Sequence, residues 1–419
     1  MPYINSVADY HENFFIIDLQ NNCNPLDIFA SVDSASTFLH EYIHFMQNVL
    51  TVNGIQRTNN FFNIYIEYII QARKNKTSYF PISVNTRNTS KWLAYEQLFN
   101  WDAPKYKDIY NLDFSDRTKI SETHIKLYGN DETDFEVENI YHQKYKLGNE
   151  QIIEAMAVLA EDMVFPSHTP SFPEPRLYSV VYELIDKIFP VLNSHELCKL
   201  ELLEISLGSN FPMNFLITVL DDLNDTNYND FDPIRFKNYI LSKTFSIIPS
   251  NKQLITEKNE LTVYNFTLKE NFKLFNKLFY NSSFNYLKSD YKNLYQKAKE
   301  LKKNNSTPIS FFISRLVAKN TSDKERFLNL YLQNKLGFPL VFYQNNAYTI
   351  DQSFIKLGCL ESIFYLLTQG IKECKIRATC QYQNPICLSE PYKRGCIIKN
   401  TEEYLCDYMQ LIKALGIYK

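Results

Sequence analysis

The chain has 419 residues, 45% of them hydrophobic and 15% aromatic, which exceeds one ordinary domain and is ample for a sizeable core. Only 9 glycines and 16 prolines exclude a collagen-like, low-complexity or disordered class. A net charge of −3, with both signs interspersed, provides no whole-chain field for nucleic acid or acidic membranes.

The first twelve residues include Asp9, His11 and Glu12 and lack a basic start followed by an apolar run. No run of about 18 apolar residues occurs anywhere. The expectation is a cytoplasmic protein with no secretory signal and no membrane span.

In chain order, Asn13 to Leu19 reads as a strand and is followed by the turn-rich segment Asn21 to Pro25. A helix is predicted from a cap at Asp33 or Ser34 to a stop near Gly54. A second, aromatic-rich helix covers about Asn59 to Arg73. Imperfect alternation from Thr123 to Leu147 predicts strands, and Glu150 to Met163 returns to helical periodicity. Four prolines between Pro166 and Pro175 mark the best boundary. Beyond it, apolar periodicity near 176–189, 211–224, 270–302, 323–335 and 352–370 predicts a mostly helical unit, with Lys302 to Pro308 as a polar joint. Lys292 to Lys303, the most basic stretch, reads as a solvated helix face. A last helix covers about Thr401 to Leu415.

The segment that carries chemistry is His40-Glu41-Tyr42-Ile43-His44. On a helix, residues four apart project from one face, so His40 and His44 can offer two imidazole nitrogens to one tetrahedral zinc. Glu41 points slightly aside, where a carboxylate can take a proton from a water activated by the metal. This is the His-Glu-x-x-His pattern of zinc metallopeptidases. At 100° per residue, Thr37, His40, Glu41, His44, Gln47, Asn48 and Thr51 share one arc, and bulky apolar residues fill the other side. The arc carries no lysine or arginine and reads as the floor of a cleft.

A catalytic zinc usually keeps three protein ligands. Gln47 and Leu50 stand where a three-histidine pattern needs glycine and histidine, which leaves a glutamate as the natural third ligand. Glu67, 23 residues after His44, is one choice. Glu154 is the other, on a helix whose Ala155, Ala157 and Ala160 permit close approach to the motif helix. Glu150, Ala157 and Glu161 share a face of that helix, so Glu161 is a candidate to orient an imidazole. For an oxyanion donor, Tyr141, His142, Tyr145 and His168 are available, with none favoured.

The run Phe38 to Gly54, followed at a distance by Ile153-Glu-Ala-Met-Ala157 and Glu161, resembles a group of bacterial gluzincin-type proteins. In these a helix of the form His-Glu-x-x-His-Phe-x-Gln pairs with a later Glu-x-Met-Ala helix. The resemblance covers about residues 30–165. It implies His40, His44 and Glu154 as zinc ligands and Glu41 as the base.

Four of the eight cysteines, Cys374, Cys380, Cys387 and Cys396, crowd together near the C-terminus. They could hold a second, structural zinc or an iron–sulfur cluster, or remain free thiols or form disulfides. Cys23, Cys198, Cys359 and Cys406 read as scattered buried thiols.

The reading is an α+β, predominantly α-helical protein. Residues 1–168 form a zincin-like metallopeptidase domain, 169–350 a helical domain, and 351–419 a C-terminal helical and cysteine-rich element. The expected activity is selective hydrolysis of a protein or peptide substrate, under control of a regulatory protein partner. The competing readings are a zinc-stiffened interaction scaffold without turnover and, ranked last, a nucleic-acid-linked regulator built on the cysteine cluster.

Overall fold

The computed structural model describes residues 8–11, 14–19, 27–75, 80–82, 119–127, 130–138, 144–166, 181–182, 184–186, 188–209, 212–243, 245–247, 255–257, 259–281, 284–337, 340–343, 346–348, 355–370 and 407–417. Tyr141, His142, His168, Cys23, Cys406 and the cluster Cys374, Cys380, Cys387 and Cys396 lie outside the described residues.

The architecture is predominantly helical with few strands. The chain opens with strands β1 (Ala8–His11) and β2 (Ile16–Leu19), then a 3-10 turn (Ile28–Ala30) and helix α1 (Val32–Leu50). Ser31 caps α1, its hydroxyl accepting from the Ser34 amide at 3.0 Å. The helix does not run to Gly54 as predicted. Thr51 is extended (φ −113°, ψ 153°), and helix α2 (Val52–Asn75) starts immediately after it. The Thr51 hydroxyl serves both ends of this break, donating to the Gln47 carbonyl at 2.7 Å and accepting from the Gly54 amide at 3.0 Å. Gly54 therefore does not end a helix. It sits where α2 folds back on α1, and a Cβ there would lie 2.5 Å from the Gln47 carbonyl oxygen and 2.6 Å from that of Asn48. Only glycine fits so close an approach.

An antiparallel meander, β3 (Lys119–Leu127), β4 (Asn130–Glu138) and β5 (Lys144–Leu147), occupies the span in which strands were predicted. Tyr145 lies in β5. Helix α3 (Asn149–Val164) follows directly, its Gly148 amide held by Gln151 Oε1 at 2.6 Å. Then come α4 (Glu196–Ser206), α5 (Pro212–Asp225) and α6 (Pro233–Leu241), the short hairpin β6 (Phe245–Ile247) and β7 (Ile255–Glu257), and α7 (Glu260–Leu278) and α8 (Asn285–Asn304). Helices α9 (Pro308–Val317) and α10 (Thr321–Asn334), strands β8 (Leu340–Tyr343) and β9 (Asn346–Tyr348), and helices α11 (Ile355–Gln369) and α12 (Asp407–Ala414) complete it. None of the described helices is long and apolar enough to cross a membrane.

Strands β1, β2, β8 and β9 form one sheet in that order, with β2 parallel to β8 and the other pairs antiparallel. This sheet joins residues 8–19 to residues 340–348, and the hydrophobic core is continuous from Ala8 to Ile417. Helix α1 runs through its centre, packed by α2, α3, α8, α9, β1 and β2. Every residue from Phe38 to Leu50 is buried, as an element surrounded on all sides requires. Lys302, placed by the sequence in a polar joint, is buried instead. Its ammonium pairs with Glu260 at 2.5 Å and donates to the Ser306 carbonyl at 3.0 Å. A lysine is tolerated at such depth when its donors are satisfied.

Candidate metal centre

Helices α1 and α3 pack closely because Ala155, Ala157 and Ala160 present no bulk and are fully buried. That approach brings Glu154 to the motif helix. His44 Nε2 lies 3.1 Å from His40 Nε2, and Glu154 Oε2 lies 3.4 Å from His44 Nε2 and 3.5 Å from His40 Nε2. Among the described residues this is the only group of three or more His, Cys, Asp or Glu side chains whose ligand atoms converge. Glu67, on α2, does not belong to it.

The triangle can be compared with what zinc requires. Bonds of about 2.0–2.1 Å at tetrahedral angles separate neighbouring ligand atoms by about 3.3–3.4 Å. The three observed edges of 3.1, 3.4 and 3.5 Å bracket that value.

The chemistry of the donor set agrees with the distances. His40 Nδ1 lies 3.2 Å from Glu161 Oε2, and the other Glu161 oxygen accepts from the Ser36 hydroxyl. A carboxylate only accepts, so His40 Nδ1 carries a proton, and Nε2 is the atom that could take a metal. His44 Nδ1 has Gln47 Oε1 at 2.9 Å. His40, Glu41 and His44 are 4%, 7% and 9% exposed, and the Glu154 side chain, at 23%, is the most open of the set.

Glu41, Glu154 and Glu161 thus bring three carboxylates against two imidazoles. No lysine or arginine is among the groups that set the protonation of His40, His44 or Glu154. Burial alone would lower the His40 pKa. Hydrogen bonds to Glu154 and Glu161, with the charges of Glu41 and Glu154, outweigh it and push the value up to about 10. Burial likewise disfavours imidazolium at His44, and Glu154 overrides it, so that pKa is also raised. Burial would raise Glu154, but the two imidazoles hold it far below the usual carboxylate range. A site that binds protons this strongly presents concentrated negative potential, and a divalent cation satisfies the same demand.

Three features escaped the sequence. Tyr10, in β1, stacks on His44 with ring centroids 6.4 Å apart and planes 18° apart, and its hydroxyl accepts from Asn48 Nδ2 at 3.0 Å. Ser36 holds Glu161, one turn before His40. Third, the polar arc of α1 beyond His44 is not a cleft floor. Gln47, Asn48 and Thr51 are buried and spend their polar atoms inside: Gln47 Nε2 on the Ile153 carbonyl at 2.9 Å, and Asn48 Oδ1 on the Thr58 hydroxyl at 3.1 Å. Side chains without charge can be buried in this way once hydrogen-bonded, which an arc lacking lysine and arginine permits equally well. Glu150, on the Glu161 face of α3, pairs with Arg57 at 2.5 Å and ties α2 to the start of α3. Of the four cysteines read as buried thiols, Cys198 and Cys359 are buried.

Compared with protein-family models, with curated proteins and with solved structures, the chain matches none.

Proposed function

We propose that the protein is a zinc-dependent metallopeptidase, with His40, His44 and Glu154 as ligands and Glu41 as general base. The observation that carries the reading is the convergence of two imidazole Nε2 atoms and one carboxylate oxygen at tetrahedral spacing, with Glu41 beside them. Zinc bound there supplies Lewis acidity that brings a water's pKa to about 7 and polarises a carbonyl.

The chain's own residues do the rest. Glu161, braced by Ser36, fixes the His40 ring, and Tyr10 packs on the His44 ring. Glu41 belongs to helix α1, is nearly buried, and acts electrostatically on both imidazoles. From there it takes the proton of the attacking water and delivers it to the departing amine. The same reading makes the first 168 residues a gluzincin-like unit and the protein a selective cytoplasmic enzyme acting on a protein or peptide under a partner's control. Glu41→Gln keeps the size and loses the base. The expected result is full zinc content with cleavage of a proteome-derived peptide library abolished, and retained activity in that variant overturns the mechanism.

The burial of His40, Glu41 and His44 favours a second reading, in which zinc stiffens the α1–α3 packing without turnover. Normal zinc content with no cleavage by the wild-type protein, with candidate partners present, supports it over the first.

A further inference from the structure

We infer that Gln47 is the positioning residue that sets the tautomer of His44 and locks that imidazole to the helix carrying Glu154. The argument is one of direction. The Ile153 carbonyl can only accept a hydrogen bond, so the Gln47 amide must present Nε2 to it, at 2.9 Å. That choice leaves Oε1 facing His44 Nδ1 at 2.9 Å, and an amide oxygen also only accepts. His44 Nδ1 therefore carries a proton, and Nε2 is the atom left to face Glu154 and His40 Nε2. A single backbone carbonyl fixes the amide orientation, the amide fixes the ring, and the ring fixes the ligand atom.

The carbonyl belongs to Ile153, immediately before Glu154, so the same side chain ties two of the three donors into one rigid unit. Gln47 is 3% exposed, so water does not compete for either bond. Its backbone is held as well, because the Gln47 carbonyl accepts from the Thr51 hydroxyl at 2.7 Å.

No other residue type of this length does both tasks. Glutamate would set a second acceptor against the Ile153 oxygen, and methionine offers neither a donor nor a strong acceptor. His40 has a different arrangement, a carboxylate at Nδ1 braced by a hydroxyl from its own helix. The two imidazoles are thus held by separate groups, His40 directly by a carboxylate of α3 and His44 through Gln47 of its own helix, which rests on α3.

The zinc arm of this inference rests on the metallopeptidase reading, and the tautomer arm does not. Zinc affinity is measured by chelator competition on wild type, Gln47→Met and Gln47→Glu, with melting temperature in excess chelator as the control for folding. Both variants are expected to bind zinc about 10–100-fold more weakly, and Gln47→Met to melt within a few degrees of wild type when metal-free. A folded Gln47→Met that binds zinc within about threefold of wild type overturns the inference. So does a metal-free wild-type spectrum of 15N-labelled histidine, recorded at a pH where the His44 ring is neutral, in which Nε2 and not Nδ1 carries the proton, a result that needs no variant to fold. If wild type takes up no zinc while His44 Nδ1 is protonated, the metallopeptidase reading falls and the tautomer relay stands.

Discussion

His40 Nδ1 lies 3.2 Å from Oε2 of Glu161, a carboxylate 1% exposed whose other oxygen is held by Ser36. The pair spans α1 and α3, as the Glu154 contacts do, so one helix supplies both a proposed ligand and the group that orients another. Glu161→Gln removes the charge and weakens the lock on the ring. Zinc affinity is expected to fall about 10–100-fold. Ser36→Ala, which leaves the carboxylate in place, is expected to cost less than Glu161→Gln. Chelator competition reads both, and equal losses in the two would show that Ser36 contributes more than bracing.

Zinc binding should depend on pH with a definite sign. In the metal-free protein His40 has its pKa raised to about 10 and is protonated at neutral pH. Binding at Nε2 must displace that proton, and any proton on His44 Nε2 as well, so apparent affinity rises with pH, by at least about tenfold per unit between roughly 7 and 10, and falls on acidification. Zinc titrations at fixed ionic strength across that range test it. An affinity independent of pH would mean that His40 gives up no proton when zinc binds.

Gly54→Ala forces a methyl group against the Gln47 and Asn48 carbonyls, which are backbone and cannot swing away. The expected loss is at the upper end of overpacking effects, about 3 kcal/mol. Because Gln47 lies at that contact, zinc affinity should fall as well. A denaturant midpoint unchanged by the substitution would show that α1 and α2 separate without cost.

Outside the proposed metal-binding group, Glu201 on α4 is 5% exposed, and its Oε2 is buried without a hydrogen-bond partner. Burial pushes its pKa up to about 7, with Lys237 at 4.0 Å on α6 only partly opposing it and Glu204 adding to it. The folded state holds a proton there that the unfolded chain releases near the ordinary carboxylate range. The contribution of Glu201 to stability is therefore greatest below that range and declines as pH rises to about 7. Glu201→Gln should abolish this decline, stabilising the protein by roughly 2 kcal/mol at pH 8 and by little at pH 4. Denaturant melts at the two pH values measure the difference, and an equal effect at both would exclude titration of Glu201.

Much of the site could be read from spacing. A spacing of four from His40 to His44 fixes a shared helix face, and three alanines around Glu154 signal a helix built for close approach. A spacing of seven from Glu154 to Glu161 returns to the same face two turns on. What escaped was whatever depended on another element. The Thr51 break is invisible because Thr-Val-Asn-Gly continues a plausible helix, and only the fold-back of α2 makes Gly54 a contact rather than a stop. Pairing of β2 with β8 links strands of four residues across more than 300 positions, with no local pattern to announce it. Gln47 and Asn48 were legible as polar, but a buried hydrogen-bonded face and a wet one have the same periodicity. Tyr10 reaches His44 only through the placement of β1.

Zinc content of the purified protein, prepared without chelator and offered the metal, tests the central claim most directly. Elemental analysis of wild type should give one equivalent lost in both His40→Ala and Glu154→Ala, apart from any metal held by Cys374, Cys380, Cys387 and Cys396, which those variants would keep. A wild-type protein that takes up no zinc, or that keeps its full content in both variants, contradicts it.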